Sequence, residues 1–233
     1  MRKKIGLRLL GMLAGGCMLY VFLFCIVYFG MAREGFFLSS IDFQKIEVKW
    51  DMQEEDIQIA LSEMLTYVKN WDENADPQFQ IDINGEMVDF YTKREISHMQ
   101  DVRRVMTGFT YVAIVSAILG VISLGVLVSK KRFADIAYGY IYTTGAALIL
   151  LVIVGVISII DIQWLINVFH KLFFEGNTWV LNPAKSKVVW FFGKAAYRKM
   201  VVYLMAAAVV VIGALIAAIC YIKRHYVNFF EKR

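Results

Sequence analysis

Cysteine and histidine are scarce in this 233-residue chain, at three residues each, and only 19% of residues are charged. Each shortage excludes a class of chemistry. Cys17, Cys25 and Cys220 all fall in apolar stretches, so the polar segments have no disulfide pair, and no CxxC spacing offers a metal or redox centre. Buried thiols of this kind behave as small apolar side chains. HExxH and HxH spacings are absent as well. None of the serines in the polar segments (Ser39, Ser40, Ser62, Ser97, Ser186) sits in a GxSxG context. The sequence pI is about 9.0, yet the basic residues do not collect on one polar face, which argues against nucleic acid as a partner.

What the chain has instead is apolar length. Hydrophobic residues make up 59% of it and the mean hydropathy is +0.56, against about 45–50% apolar residues in ordinary soluble domains. The fold class expected is an α-helical polytopic membrane protein. Four stretches approach the ~20 residues a helix needs to cross a ~30 Å hydrocarbon core: Ile5 to Met31, Phe109 to Val128, Tyr138 to Ile160 and Val201 to Ile222. The first exceeds the ~7–15 apolar residues of a signal peptide, so an uncleaved helix is expected. Leu13-Ala14-Gly15-Gly16-Cys17 looks a little like a lipoprotein processing site. A mature lipoprotein, however, would not begin inside the hydrophobic helix that follows Cys17. None of the spans carries a mid-span charge, which argues against a transporter.

The charges set a direction. Arg2, Lys3, Lys4, Arg8, Lys130, Lys131, Arg132, Lys223, Arg224, Lys232 and Arg233 fall on one side of a four-span layout, opposed there only by Asp135 and Glu231. The positive-inside rule then places both termini in the cytoplasm. The expected division is a first transmembrane helix (1–31), an extracellular domain (32–107), a second span (108–128), a cytoplasmic loop (129–137), a third span (138–160), an extracellular interfacial loop (161–200), a fourth span (201–222) and a cytoplasmic tail (223–233).

The extracellular domain reads as small and α+β. Ile57, Ala60, Leu61, Met64, Leu65 and Val68 recur at spacings of three and four, predicting a helix over 51–70. After the Asp76-Pro77 break, alternating Phe79, Ile81 and Ile83 lead through Asn84-Gly85 into the run 87–91, a hairpin signal. Thr92 and Glu95 form a capping box with no breaker after it, so one helix is expected from Lys93 to about Ser129. On it His98 stands above the start of the apolar run, with Asp101 on the same face. The loop 161–200 carries the apolar stripe Ile162, Leu165, Val168, Phe169, Leu172, Phe173, with Trp164, Trp179 and Trp190 around it, as expected at headgroup level. His170 lies within that stripe. Topology therefore brings His98 and His170 to the same water–lipid boundary.

Two histidines at a membrane surface admit several readings. The first takes each as a polar interfacial residue without a chemical role. His98, Asp101, His170 and Glu175 offer four potential zinc ligands, without a supporting spacing. The third reading is general acid–base catalysis, because imidazole exchanges protons near neutral pH.

The stretches Arg94-Glu95-Ile96-Ser97-His98-Met99-Gln100-Asp101-Val102 and Phe169-His170-Lys171-Leu172-Phe173-Phe174-Glu175-Gly176-Asn177-Thr178-Trp179 closely resemble the two hallmark motifs of the lipoprotein intramolecular transacylase (Lit) family of Gram-positive bacteria. The four-span layout and chain length resemble it too. The resemblance implies transfer of the sn-2 acyl chain of an S-diacylglyceryl-cysteine lipoprotein to the α-amino group of the same cysteine, giving a lyso-form lipoprotein. It places the family's catalytic pair on His98 and His170. Asp101 is then expected to orient His98, and Arg94 to contact an oxyanion or headgroup, with Glu95 supporting. Phe169, Phe173 and Trp179 would shape the acyl entrance. Diacylglyceryl-modified lipoproteins and membrane lipid are the expected partners, the expected state is a monomer, and no cofactor or metal is implied. The chain departs from the family's pattern after Asn182-Pro183, where Lys185-Ser186-Lys187 and Gly193 replace an expected acidic residue and proline. The rival readings are a non-enzymatic membrane protein that binds lipoproteins or a partner subunit, and a metal-dependent lipid hydrolase.

Overall fold

A computed structural model describes residues 2–72, 75, 77, 79–83 and 86–222. The Asn84-Gly85 turn, Asp76, the basic tail 223–233 and the side chains of Arg2, Lys3, Lys4 and Cys220 lie outside the described residues. The elements in order are α1 (Arg2–Cys25), a π-helical segment (Ile26–Met31), α2 (Glu34–Leu38), α3 (Phe43–Trp50), α4 (Glu54–Lys69), β1 (Gln80–Ile83), β2 (Glu86–Asp89), α5 (Lys93–Ser129), α6 (Phe133–Phe173), α7 (Val188–Phe191) and α8 (Lys194–Ile222). The fold is mostly helical, with one two-stranded sheet among the described residues. Four of its helices are long and apolar enough to cross a membrane.

The chain divides into two compact units. One gathers the described residues within Met1–Leu23, Ala113–Val156 and Val201–Arg233. Its helices carry large apolar side chains on their outer faces, among them Ile149, Val209 and Val210, each more than 60% exposed. In water such faces would be unstable, and in lipid they are solvated. With no hydrophobic drive left between helices in lipid, close packing must hold them together. A Cβ at Gly11 would overlap the Asp135 carbonyl, and one at Gly139 the Gly11 backbone. Glycine at these two positions lets α1 and α6 touch backbone to backbone.

The other unit comprises Phe24–Val112 and Ile157–Met200. Both of the polar segments expected to lie on one side of the membrane are in it. Its core forms around α4, where Ile57, Ala60 and Leu61 are fully buried. Each large aliphatic side chain so buried contributes about 1.5–3 kcal/mol. β1 and β2 pair antiparallel, with Ile81 opposite Val88 and Ile83 opposite Glu86. Phe79 continues this edge inward, meeting the rings of Tyr67 and Tyr91 edge-on at 5.5 and 5.0 Å.

Several boundaries differ from the sequence reading, each for a local reason. The helix expected over 51–70 starts at Glu54, because Asp51 takes a left-handed conformation (φ 53°) that caps α3. Gln53 then caps α4, its backbone N–H donating to Asp56 Oδ2 at 3.0 Å. α2 and α3 were not foreseen. The loop expected over 129–137 closes within 130–132: Lys131 adopts φ 53°, and the Arg132 carbonyl accepts the Asp135 and Ile136 N–H groups that open α6. α8 starts at Lys194 rather than Val201, because the Gly193 carbonyl accepts from Ala196 and Tyr197. Within α6, Asp161 leaves helical geometry (φ −149°, ψ 86°) and its carboxylate accepts the Trp164 N–H at 3.0 Å. That is an N-cap. A new helical stretch therefore begins where the apolar run ends, and it carries His170.

Candidate active site

The site is assembled from the first turns of α5 and the last turns of α6, both inside the second unit. The capping box forms as the sequence predicts: Thr92 N–H and Oγ1–H both donate to Glu95 Oε2 at 2.8 Å, and Glu95 N–H donates to Thr92 Oγ1 at 3.3 Å. Glu95 does more than cap. Its side chain is fully buried, and its other oxygen, Oε1, accepts from Ser186 Oγ at 2.8 Å and from Val188 N–H at 3.0 Å. Four donors on one buried carboxylate tie the start of α5 to the segment after α6.

One turn along α5, His98 is 7% exposed, as is His170 in the last turn of α6. Their rings lie 5.6 Å apart, centroid to centroid, at 33°. Phe174 touches both, at 5.2 Å from each, stacked on His170 and edge-on to His98. Trp179 closes on His170 at 5.1 Å, Phe169 at 5.7 Å and Tyr197 at 6.5 Å. Phe173 continues the aromatic wall from Phe169 (4.9 Å) to Phe109 (5.1 Å).

The loop that carries Trp179 is held in place by the two polar residues expected to serve the chemistry itself. Gly176 turns the chain with φ +75°. Arg94 Nη2 donates to the Asn177 carbonyl at 2.7 Å, and Thr178 Oγ1 donates to Asp101 Oδ2 at 2.7 Å. The second carboxylate oxygen of Asp101 takes Arg104 at 3.3 Å. Asp101 therefore does not hydrogen-bond His98 as an orienter would; it reaches that ring only through its charge. Arg94 points at a backbone carbonyl.

The two imidazoles differ in their hydrogen bonds. His170 Nδ1 lies 2.7 Å from the Ile166 carbonyl. A carbonyl oxygen only accepts, so Nδ1 carries the proton and Nε2 presents a bare lone pair. His98 Nδ1 is buried and has no partner among the described residues. His98 precedes and His170 follows the stretches 109–128 and 138–160 that the sequence reading takes as apolar spans. Burial, reinforced by the proximity of His170, pushes the His98 pKa down to about 4, against a small opposing pull from Asp101. Burial lowers His170 too, opposed by its bond to the Ile166 carbonyl. Near pH 7 both rings are neutral.

The four residues considered as zinc ligands do not converge: Glu175 is exposed, Asp101 is engaged elsewhere, and no group of three or more His, Cys, Asp or Glu meets among the described residues. Two participants were missed in the sequence. Phe174 sits four positions after His170, which puts it on the same helical face, a spacing that identifies it. Ser186, one of the departures from the family pattern, anchors Glu95, and no local signal announces a partner 91 positions away. The neighbouring departure, Lys187, donates to the Phe90 carbonyl at 2.6 Å.

A protein-family model described as lipoprotein intramolecular transacylase Lit matches residues 12–197, which include both histidines and the loop between α6 and α7. The chain belongs to the Lit family. It is thus a membrane-integral enzyme of the transacylase type. Among solved structures, the in meso structure of Lit from Bacillus cereus is similar over 96% of this chain and 97% of that one, with a TM-score of 0.70 and 16% identity. A second structure of the B. cereus protein, with one histidine replaced by alanine, is similar over 100% of this chain and 97% of that one, with a TM-score of 0.64 and 16% identity. At that identity the likeness is one of fold. No curated protein matches the chain by sequence.

Proposed function

We propose that the enzyme moves the sn-2 acyl chain of an S-diacylglyceryl-cysteine lipoprotein to the α-amino group of the same cysteine, with His170 as the base and His98 as the oxyanion donor. The observation that carries this reading is the pair of buried neutral imidazoles 5.6 Å apart: among the described residues, one keeps its Nε2 lone pair free and the other has an unpartnered Nδ1.

The amine has a pKa of about 7.7–8.0 and attacks only when deprotonated. As its nitrogen bonds to the ester carbonyl carbon, His170 Nε2 takes the surplus proton and becomes imidazolium. The carbonyl oxygen becomes an oxyanion, and the N–H of neutral His98 hydrogen-bonds to it. A neutral imidazole suits that task, because its N–H is not lost to solvent at working pH. The tetrahedral intermediate collapses, the carbon–glycerol oxygen bond breaks, and His170 returns the proton to the leaving oxygen. An amide and a free glycerol hydroxyl result, with no net proton change. Because amine and ester belong to one molecule, high effective molarity replaces an acyl-enzyme and no serine or cysteine nucleophile is required.

Arg94 and Asp101 act as positioning residues through the Trp179 loop, and Glu95 supports the site by holding the start of α5 to the segment after α6. The aromatic wall of Phe169, Phe173 and Trp179 receives the acyl chain. We assign both termini to the cytoplasm and the histidine pair to the extracellular interface, on the charge asymmetry of the loops. The test is expression in a host lacking N-acylating enzymes, followed by mass spectrometry of a lipoprotein's N-terminal peptide. The acyl-shifted lyso form is expected with the wild type and not with His98→Ala or His170→Ala. Full conversion by both variants would refute the paired mechanism.

A further inference from the structure

Apart from the histidine site, the second unit holds an open cleft of roughly 580 Å³, lined by Tyr28, Phe29, Arg33, Thr66, Lys69 and Asn70. Its position follows from the sequence. The first apolar helix runs Ile5–Met31 and Arg33 is the first charge after it, so the cleft mouth lies where the chain leaves hydrocarbon for headgroups. The helix changes to π geometry over Ile26–Met31, with the Ala32 N–H bonded to the Val27 carbonyl at 2.8 Å. Such insertions shift side-chain register and recur at functional sites. Here the segment carries Tyr28 and Phe29, whose rings meet edge-on at 5.0 Å, while Phe24 stacks on Tyr28 at 5.4 Å.

The polar wall comes from α4 and the residues flanking it. Lys69 Nζ donates to the Ala32 carbonyl at 2.8 Å, which fixes the ammonium at the helix end and leaves two of its three donors over. The exposed Arg33 guanidinium has no hydrogen bond or ion pair among the described residues, and Thr66 adds an exposed hydroxyl. Among the described residues, no carboxylate lines the cleft. Two cations and a hydroxyl above an aromatic floor match a phosphodiester whose glycerol and acyl parts descend along Tyr28 and Phe29. Arginine and lysine are the side chains that hold phosphate oxygens best.

We infer that this cleft binds the headgroup of an anionic phospholipid of the bilayer, at a site separate from the acyl-transfer site. The occupant is a membrane lipid rather than a free anion, because the aromatic floor, Tyr28 and Phe29, belongs to the end of an apolar helix long enough to cross a membrane. The inference does not depend on the acyl-transfer mechanism.

The test uses the full-length protein in detergent with phosphatidylglycerol, phosphatidylcholine or inorganic phosphate added, read by native mass spectrometry and thermal unfolding. One phosphatidylglycerol is expected to be retained in preference to phosphatidylcholine and to raise the unfolding temperature. Arg33→Gln, which breaks no internal bond, should lower retention about fivefold, the loss expected for one interfacial cation. Thr66→Glu, which places a carboxylate beside the phosphate, should abolish the preference. Lys93→Gln, an exposed cation elsewhere in the same unit, should change neither. Equal retention of the two lipids, insensitivity to both cleft variants, or an equal stabilisation by millimolar phosphate would overturn the proposal.

Discussion

Two buried polar clusters stand one helical turn apart on α5, and they are built on opposite terms. At Glu95 the carboxylate accepts from Thr92 N–H, Thr92 Oγ1, Ser186 Oγ and Val188 N–H, and nothing is left over. At His98 and His170 one ring nitrogen is committed to the Ile166 carbonyl, another has no partner among the described residues, and the neighbours are aromatic faces. Burying a polar atom without a partner costs about 1–3 kcal/mol, so a fold keeps such an atom only where something else requires it. The saturated cluster holds the fold together. In the proposed mechanism, the unsaturated one is where a substrate's polar atoms supply the missing partners.

Substitutions should separate the two clusters. The largest effect is expected at His170. His170→Ala removes the proposed base and should lower the acyl-transfer rate by about 10³-fold, within the ~10²–10⁴ range of general acid–base catalysis. His98→Ala removes the proposed oxyanion donor and should cost roughly 10²–10³-fold. Both are measured on a synthetic diacylglyceryl lipopeptide.

Glu95→Ala leaves buried donors without an acceptor. It should destabilise the protein by about 3–5 kcal/mol, read as a fall in unfolding temperature. Ser186→Ala, losing one of the four donors, should cost about 1–2 kcal/mol while the rate per folded molecule stays within about twofold.

Thr178→Val frees the loop from Asp101 and loosens Trp179 over His170. About a tenfold loss of rate with little change in unfolding temperature is expected, because small misplacements near reacting groups slow chemistry more than they unfold proteins.

The smallest effect is on pH dependence. An unfolded histidine titrates near 6.5 and folded His98 near 4, so between those values the unfolded chain binds more protons. Stability contributed by neutral His98 is present above pH 6.5 and declines as pH falls towards 4. His98→Gln should flatten that decline in a pH series of thermal unfolding. The acid limb of the rate should follow the substrate's amine, near 8, rather than an imidazole near 6.5.

Much of this was legible in the sequence because periodicity and capping are local. The start of α5 at Lys93 follows from Thr92 and Glu95, and the hairpin strands follow from the alternation of Phe79, Ile81 and Ile83. The meeting of the two histidines was legible through topology: the reading of the long apolar runs put His98 and His170 at one boundary, and their rings lie 5.6 Å apart. The partners of Glu95 and Asp101 were not. Helical spacing put Asp101 on the face of His98, but its carboxylate chose Thr178, 77 residues away, and sequence spacing carries no information about such a bond. The short helices α2 and α3 escaped for a different reason: their apolar residues are too few to set a period.

The most direct test of the contrast is to measure unfolding temperature and single-turnover rate side by side for His98→Ala and Glu95→Ala in the same membrane mimetic. The expected pattern is crossed. His98→Ala keeps the wild-type unfolding temperature within a few degrees and loses about 10²-fold or more in rate, whereas Glu95→Ala loses unfolding temperature and keeps most of its rate per folded molecule. If His98→Ala instead retained more than about a tenth of the wild-type rate, or if rate and stability fell together in both variants, the division between a structural and a chemical cluster would be wrong.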